Sequence, residues 1–192
     1  MPRLPMRAPL LVLLAVLAVV AEPARAEPPR EDLPRLSGRV VGVVDGDTVD
    51  VRLASGMIRV RLHGVDAPER DQPYGKAARR ALSRLVYLET VAIEPVEQDQ
   101  YHRLIARLWL DGRDVNAELL ETGNAWVYRH YAQEAASCAR EQQARRHARG
   151  LWALPREQWV APWEWRRRET RRQPFTDYSE ETVAECVQSL GK

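Results

Sequence analysis

The feature that most constrains the fold is a set of three short β-branched segments between residues 39 and 62. Arg39–Val44, Thr48–Leu53 and Ile58–Leu62 partly alternate in polarity, and turns that contain Gly46 and Gly56 separate them. Alternation with a period of two is typical of strands that bury one face. We therefore expect a meander of three antiparallel strands.

The pattern after the meander adds a helix, two strands and two further helices. Tyr74–Leu88 is an amphipathic helix, Val91–Val96 and Leu104–Leu110 return to strand character, and Asp114–Gly123 and Gln133–Arg149 are helical. Five strands with a helix after the third are the order expected of an OB-type barrel. The predicted fold class is α+β, a five-stranded OB-fold β-barrel with three helices.

Residues 1–26 have the layout of a secretory signal peptide. Arg3 and Arg7 form a positive start, Ala8–Ala21 is apolar, and Ala24–Ala26 is a small-x-small cleavage site. We expect an exported protein, periplasmic or secreted, with no membrane attachment after cleavage. An uncleaved anchor is the alternative, although the apolar run is shorter than the roughly 20 residues of an ordinary membrane span.

Removal of this leader leaves a chain without net charge. The whole sequence has 29 basic and 27 acidic residues, and the leader contains three of the former and one of the latter, so 26 of each remain. A nucleic-acid partner therefore has to be argued from local chemistry. Arginine clusters at residues 79–84, 140–149 and 166–172 are most simply read as solvated faces.

Cys138 and Cys186 are the two cysteines of the chain. An even number of cysteines in an exported protein predicts a disulfide. This bond would tie the C-terminal tail to the last predicted helix.

Two acidic clusters lie close to the ends of predicted strands. The first runs from Asp45 to Asp50, and it lacks the Gly and Glu positions of a calcium EF-hand loop. Asp45 itself is best explained as a residue of a hairpin turn. Asp47 differs, because Asp66 and Glu69 follow the end of a neighbouring strand and can meet it.

Arg61 lies on a strand with an alternating pattern, and an inward-pointing arginine requires an anionic partner. One candidate partner is a substrate phosphate, whose oxygens match a planar guanidinium. The other is an internal salt bridge to Glu69 or Asp47. Residue types alone leave both possibilities open.

Taken together, these segments resemble the staphylococcal nuclease-like family. The resemblance is carried by Val44–Val49, Arg61–Glu69 and Tyr101–Arg103, in this order and spacing, and extends from about Leu36 to Trp152. It implies an OB-type barrel and a calcium-dependent enzyme that cleaves DNA and RNA and leaves 3′-phosphates. We expect the protein to be a monomer.

The resemblance also implies roles for individual residues. Asp47 and Asp66 match the carboxylate ligands of a single calcium ion, and Ala67 matches a position that contributes its backbone carbonyl. The phosphate-binding arginines and the carboxylate that activates or orients the attacking water are matched by Arg61, Arg103 and Glu69.

Two positions depart from the pattern of the family. Ala67 is often Thr, which a main-chain ligand tolerates. His102 stands where Gly is common, and Gly permits backbone conformations that other residues resist, so the turn that carries Arg103 is expected to be altered. Tyr101 and His102 are candidate substrate contacts.

We predict a nuclease domain at residues 36–154, a flexible lead-in at residues 27–35 and a Trp/Arg-rich extension at residues 155–192. The alternative function is a non-catalytic nucleic-acid-binding OB module of the cell envelope. The sequence contains neither His-Glu-x-x-His nor Gly-x-Ser-x-Gly, so zinc-protease and serine-hydrolase chemistry have no motif to support them.

Overall fold

The structure is a computed structural model that describes residues 36–168, 170 and 173–191. The predicted signal peptide, residues 1–26, and the predicted lead-in, residues 27–35, lie outside the described residues. Among the described helices, none has both the length and the apolar character that crossing a bilayer requires.

In the described residues, five long strands and three two-residue strands form the β structure. They are β1 (Leu36–Val43), β2 (Thr48–Leu53), β3 (Gly56–Leu62), β4 (Val65–Asp66), β5 (Thr90–Gln98), β6 (Leu104–Leu110), β7 (Arg113–Asp114) and β8 (Trp126–Val127).

The long strands close into a barrel. They follow the order β3-β2-β1-β5-β6, with antiparallel neighbours. β6 then pairs with β3 in parallel, with Arg61 opposite Ile105, and this pairing joins the two ends of the sheet. The prediction of a five-stranded barrel with helices is therefore confirmed.

Five α-helices and two 3-10 helices surround the barrel in the described part of the chain. They are α1 (Gly75–Val86), α2 (Val115–Glu121), α3 (Ala135–Arg146), α4 (Pro162–Trp165) and α5 (Val183–Ser189), with 3-10 turns at Gly150–Ala153 and Arg156–Gln158. The first three correspond to the predicted helices. α4 and α5 were not predicted, although the capping box of α5, Thr182 with Glu185, is a start signal present in the sequence.

The barrel interior is filled by branched aliphatic side chains from alternate strand positions. Val49, Val51 and Val60 are fully buried there, as are Leu82 and Val86 from the inner face of α1. Burial of each such side chain contributes roughly 1.5–3 kcal/mol. This packing makes the barrel a fixed frame for residues at its rim.

A second apolar cluster fixes the C-terminal extension to the barrel. The rings of Trp126 and Trp152 meet edge to face with centroids 4.5 Å apart. Trp163 contacts Trp126 at 5.8 Å, and Trp159 contacts Trp152 at 5.1 Å. The tryptophans of the extension are therefore packed against the barrel rather than presented as open platforms.

A disulfide joins α3 to α5. Cys138 and Cys186 are bonded, with their Cα atoms 5.9 Å apart, and both are buried. The bond connects the last helix of the extension to the domain that carries the barrel.

Candidate active site

The turn between β1 and β2 carries the first acidic cluster. The Asp47 amide donates to Asp45 Oδ1 at 3.0 Å, so Asp45 does stabilise a turn. Asp47 Oδ2 accepts a hydrogen bond from the Ala67 amide at 2.8 Å. A Cβ at Gly46 would lie 2.5 Å from the Ala67 Cβ. Gly46 therefore allows the turn to approach the chain just after β4.

Arg61 lies at the end of β3 and holds the second acidic cluster. Its Nη1 donates to the Leu62 and Val65 carbonyls, at 3.2 and 3.0 Å. Its Nη2 lies 2.8 Å from Asp66 Oδ1 and 3.5 Å from Asp47 Oδ2. One nitrogen atom thus reaches oxygens of both carboxylates, and only 11% of the Arg61 side chain is exposed.

Burial raises the pKa of two carboxyl groups in this pocket. For Asp66 burial dominates, and the pKa is raised to about 6 in spite of the lowering effect of Arg166 and Arg61. For Asp45, burial and the charge of Asp47 raise the pKa to about 7. Burial in this pocket therefore disfavours the charged form of both carboxyl groups.

Glu69 follows this pocket on the loop that leads into α1. Its carboxylate is about one-third exposed, and its amide donates to Gln72 Oε1 at 3.1 Å. Gly75 is required by the loop, because a Cβ there would lie 1.7 Å from the Glu69 carbonyl oxygen. Gly75 thus permits the close backbone approach that positions Glu69.

Arg166, from the C-terminal extension, reaches into the same pocket. Its Nη2 lies 2.8 Å from Asp66 Oδ2 and its Nη1 lies 3.1 Å from Asp66 Oδ1. Nη1 also contacts Glu69 Oε1 at 2.7 Å. Burial lowers the pKa of Arg166, but the hydrogen bonds and charges of Asp66 and Glu69 raise it overall. This arginine is exposed, as expected of a solvated face, but two carboxylates that the sequence did not indicate hold its guanidinium.

Arg103 is placed by a turn that Asp99 organises. Asp99 Oδ1 accepts from the amides of Tyr101 and Arg103, both at 2.9 Å, and Asp99 Oδ2 accepts from Arg103 Nε at 2.7 Å. Burial acts to raise the pKa of Asp99, but these hydrogen bonds lower it overall. Within the described part of the chain, neither Nη group of Arg103 has a hydrogen-bond partner.

His102 adopts the conformation that Gly would adopt in this turn. Its φ is 59°, in the left-handed region, and its amide donates to the Asp99 carbonyl at 3.0 Å. A residue with a Cβ is strained in this region. Both Tyr101 and His102 are exposed, and the Tyr101 ring lies 5.5 Å from the Arg103 guanidinium carbon.

The structure brings most of the predicted site residues together. Asp47, Asp66, Ala67 and Arg61 are linked directly, and Glu69 joins them through Arg166. Arg103 has no contact with this group in the described structure.

Arg103 nevertheless lies directly before β6, the strand that pairs with the strand of Arg61. It comes immediately before Leu104, the partner of Val60 in the β3–β6 pairing. The salt-bridge alternative for Arg61 is realised with Asp66 and Asp47, and not with Glu69.

Sequence reasoning missed three contributors. Asp99 is an Asx-turn residue two positions before Tyr101, and this spacing was a usable signal. Tyr128 lies under two guanidinium groups, with ring-centroid distances of 5.4 Å to Arg61 and 5.9 Å to Arg166. Arg166 could not be identified from spacing, because 97 residues separate it from Glu69.

The residues present fit a hard cation such as calcium. Asp47 and Asp66 supply buried carboxylate oxygens beside the main chain of Ala67. No three His, Cys, Asp or Glu side chains of the described ranges form a group that could hold a metal ion. Calcium accepts carbonyl and water oxygens in addition to carboxylates, so two side-chain ligands are compatible with such a site.

Comparison with known proteins places this geometry in a family. The profile of the family described as staphylococcal nuclease homologue matches residues 59–154. Protein ParB of Escherichia coli is 39% identical over 170 residues, which cover 83% of this chain and 90% of ParB. Micrococcal nuclease of Shigella flexneri is 37% identical over 167 residues, which cover 81% of this chain and 90% of that protein.

A third relative extends the same picture. An uncharacterized endonuclease of Escherichia coli O157:H7 is 37% identical over 134 residues, which cover 69% of this chain and 86% of the endonuclease. The matched residues include every predicted site residue from Arg61 to Arg103. The chain therefore belongs to the staphylococcal nuclease homologue family and is a hydrolase of the nuclease class.

Proposed function

We propose that the chain is an exported, calcium-dependent nuclease that hydrolyses phosphodiester bonds of both DNA and RNA, leaves 3′-phosphate ends and acts as a monomer. The observation that carries this proposal is the convergence of Asp47, Asp66, Arg61 and Glu69 on one rim of the barrel. A two-carboxylate pocket, an arginine and a third, more exposed carboxylate are the groups that metal-assisted phosphodiester hydrolysis needs.

Glu69 is the proposed group that activates or orients the attacking water. Its carboxylate is the most exposed of those in the pocket, so water can reach it. A carboxylate in this position can accept a proton from the water as the oxygen attacks phosphorus. Gly75 permits the close backbone approach at Glu69, and Arg166 contacts both Glu69 and Asp66.

Arg61 and Arg103 are the proposed donors to the phosphate. Arg61 is held by two carbonyls and by Asp66, so its guanidinium is fixed before substrate binds. Arg103 is held through Nε by Asp99, and its two Nη groups remain for phosphate oxygens. Donors that are fixed in advance stabilise the charge that develops in the transition state without further reorganisation.

Asp47, Asp66 and the Ala67 carbonyl are the proposed ligands of calcium. A bound calcium ion would polarise a phosphoryl oxygen and offset the charge of the approaching nucleophile. Without calcium, the negative charge of the same carboxylates would repel another anion from the pocket.

The proposal that the protein is exported is supported by the sequence of residues 1–26 and by the disulfide. A positive start, an apolar run and a small-x-small site are the parts of a secretory signal. The Cys138–Cys186 bond is compatible with an oxidising compartment.

The mechanism is tested by digestion of plasmid, single-stranded DNA and RNA, with calcium or with a chelator. We expect cleavage with calcium only, and a loss of about 10²-fold or more in kcat for Glu69→Gln and Arg103→Ala. Matched controls are Glu89→Gln and Arg113→Ala, which alter exposed residues away from the pocket. Binding without cleavage would overturn the proposal in favour of a binding module, and equal cleavage with chelator would overturn the proposed calcium dependence.

The 3′-phosphate ends of the products and the export of the protein are tested separately. Products with 3′-phosphates are refractory to terminal transferase until a phosphatase has removed the phosphate, so extension of untreated products would refute this part. Expression of the full chain in a bacterial host should give a processed protein outside the cytoplasm whose first residue is Glu27. An intact leader in a cytoplasmic fraction would contradict export.

A further inference from the structure

Arg166 lies beyond the segment that matches the family, residues 59–154, yet it binds the centre of the candidate active site. It makes a bidentate contact with Asp66 and a third contact with Glu69. These are the carboxylates to which the proposed function assigns metal binding and water activation. The extension thus places the positively charged guanidinium of Arg166 at the site proposed for calcium.

Neighbouring contacts hold the segment that carries Arg166 against the loop that carries Glu69. The Arg168 guanidinium pairs with Asp71 at 2.7 Å, and the Trp165 indole donates to the same carboxylate at 3.2 Å. Gln72 donates to the Val160 carbonyl. The end of α4 is therefore tied to the loop that carries Glu69, and Arg166 is directed to the pocket.

The two arginines on Asp66 differ in how firmly they are held. Arg61 is 11% exposed and bonded to two main-chain carbonyls. The Arg166 side chain is 39% exposed, and its guanidinium carbon lies 5.9 Å from the centroid of the Tyr128 ring. Arg166 can consequently leave Asp66 without unpacking the core, whereas Arg61 cannot.

Both oxygens of Asp66 are engaged while Arg166 is in place. Oδ1 accepts from Arg61 and Arg166, and Oδ2 accepts from Arg166. A metal ion that uses Asp66 must share it with a second positive charge or displace that charge. In a partly buried pocket, repulsion between a guanidinium and a divalent cation is strong.

We propose that Arg166 is a built-in counter-ion that occupies Asp66 and Glu69 in the calcium-free enzyme and is displaced when calcium binds. The proposal rests on the proposed function, since it concerns the same metal site. Arg166 stabilises the metal-free pocket by compensating its buried charge. It also lowers calcium affinity, and its release from Glu69 frees that carboxylate for water only when the metal is present.

Two measurements on Arg166→Ala test this proposal. Calorimetric titration should show calcium binding about tenfold tighter than in the wild type, or more, because a competing unit charge has been removed. Thermal unfolding in chelator should show a Tm lower by several degrees, because Asp66 loses a partner, with most of the difference abolished by saturating calcium.

Arg167→Ala is the matched control, since it removes the same charge from the adjacent position, where the side chain is exposed and has no hydrogen bond or ion pair within the described part of the chain. It should change calcium affinity by less than about threefold, because exposed charges are screened. Arg166→Lys, which retains the charge but not the bidentate contact, should bind calcium with intermediate affinity. It replaces the alanine variant if that variant does not fold.

The outcomes separate this proposal from the one on which it rests. Calcium affinity that is unchanged or weaker in Arg166→Ala would overturn the counter-ion role. Weaker binding of a substrate analogue with unchanged calcium affinity would also overturn it, and would make Arg166 a phosphate donor. If none of the variants nor the wild type binds calcium, both proposals are wrong.

Discussion

The buried carboxylate of Glu141 is expected to be the most important single charge for stability. It lies in α3, only 2% exposed, and accepts hydrogen bonds from Arg129 at 3.1 Å, from Arg145 at 2.6 Å and from the Val127 amide. Both arginines also contact Glu181 of the extension. Glu141→Gln preserves the shape of the side chain and removes its charge.

The expected loss in the free energy of unfolding follows from these contacts. Breaking a buried ion pair by altering one partner costs about 3–5 kcal/mol, and the amide NH2 of Gln would face donors wherever it is placed. We expect a loss of about 3 kcal/mol or more in the free energy of unfolding at neutral pH. For a chain of this size that loss lowers Tm by about 10 °C.

The pH dependence provides a second signature. Burial acts to raise the pKa of Glu141, but Arg129 and Arg145 lower it overall from its ordinary value of 4.5. Its contribution to stability is therefore present above about pH 4.5 and lost as the pH falls through the lowered pKa. The difference between wild type and Glu141→Gln should shrink at acidic pH.

Urea unfolding at several pH values, followed by tryptophan fluorescence, measures both effects. Glu121→Gln is the matched control, because Glu121 pairs with Arg140 at an exposed site, where such pairs contribute about 0–1 kcal/mol. A loss below about 1 kcal/mol for Glu141→Gln, or a difference that grows as the pH falls, would refute the reasoning.

Four further substitutions test other contacts. Arg61→Lys preserves the charge but loses the planar contact with Asp66, so kcat should fall by about 10²-fold or more; an equal rate would contradict a role for its geometry. Gly75→Ala forces the Glu69 loop to move, and kcat should fall by about 10²-fold with the circular dichroism spectrum preserved. His102→Gly relieves a left-handed residue, so the unfolding free energy should rise by about 1 kcal/mol; a fall would show that the turn is not strained. Replacement of both cysteines by Ser opens a loop with a sequence separation of 48, which should cost about 4 kcal/mol by chain entropy, and an unchanged urea midpoint would contradict that estimate.

Local patterns were sufficient for most of the barrel. The period-two alternation of β2 and β3 and the apolar stripe of α1 depend on neighbours close in the chain, so the sequence displays them directly. The same is true of the acids and arginines in the family motifs. Asp47, Arg61, Asp66 and Glu69 fall within 23 residues of chain.

Contacts between distant segments were not predictable in this way. Arg166 meets Glu69 across 97 residues, and Arg145, part of a cluster expected to be solvated, is buried against Glu141. A run of arginines has the same appearance in sequence whether water or carboxylates surround it, because its partners come from other elements.

The sequence by itself therefore determined the order of strands and helices, the family and the identity of the acids and arginines at the rim, since each is encoded by local spacing. Only the tertiary structure decided which acidic residue each arginine contacts. Closure of β3 against β6 placed Arg103 beside the strand of Arg61. Packing of the tryptophan cluster brought Arg166 to Asp66, because the partner of a charge is set by which surfaces are buried together.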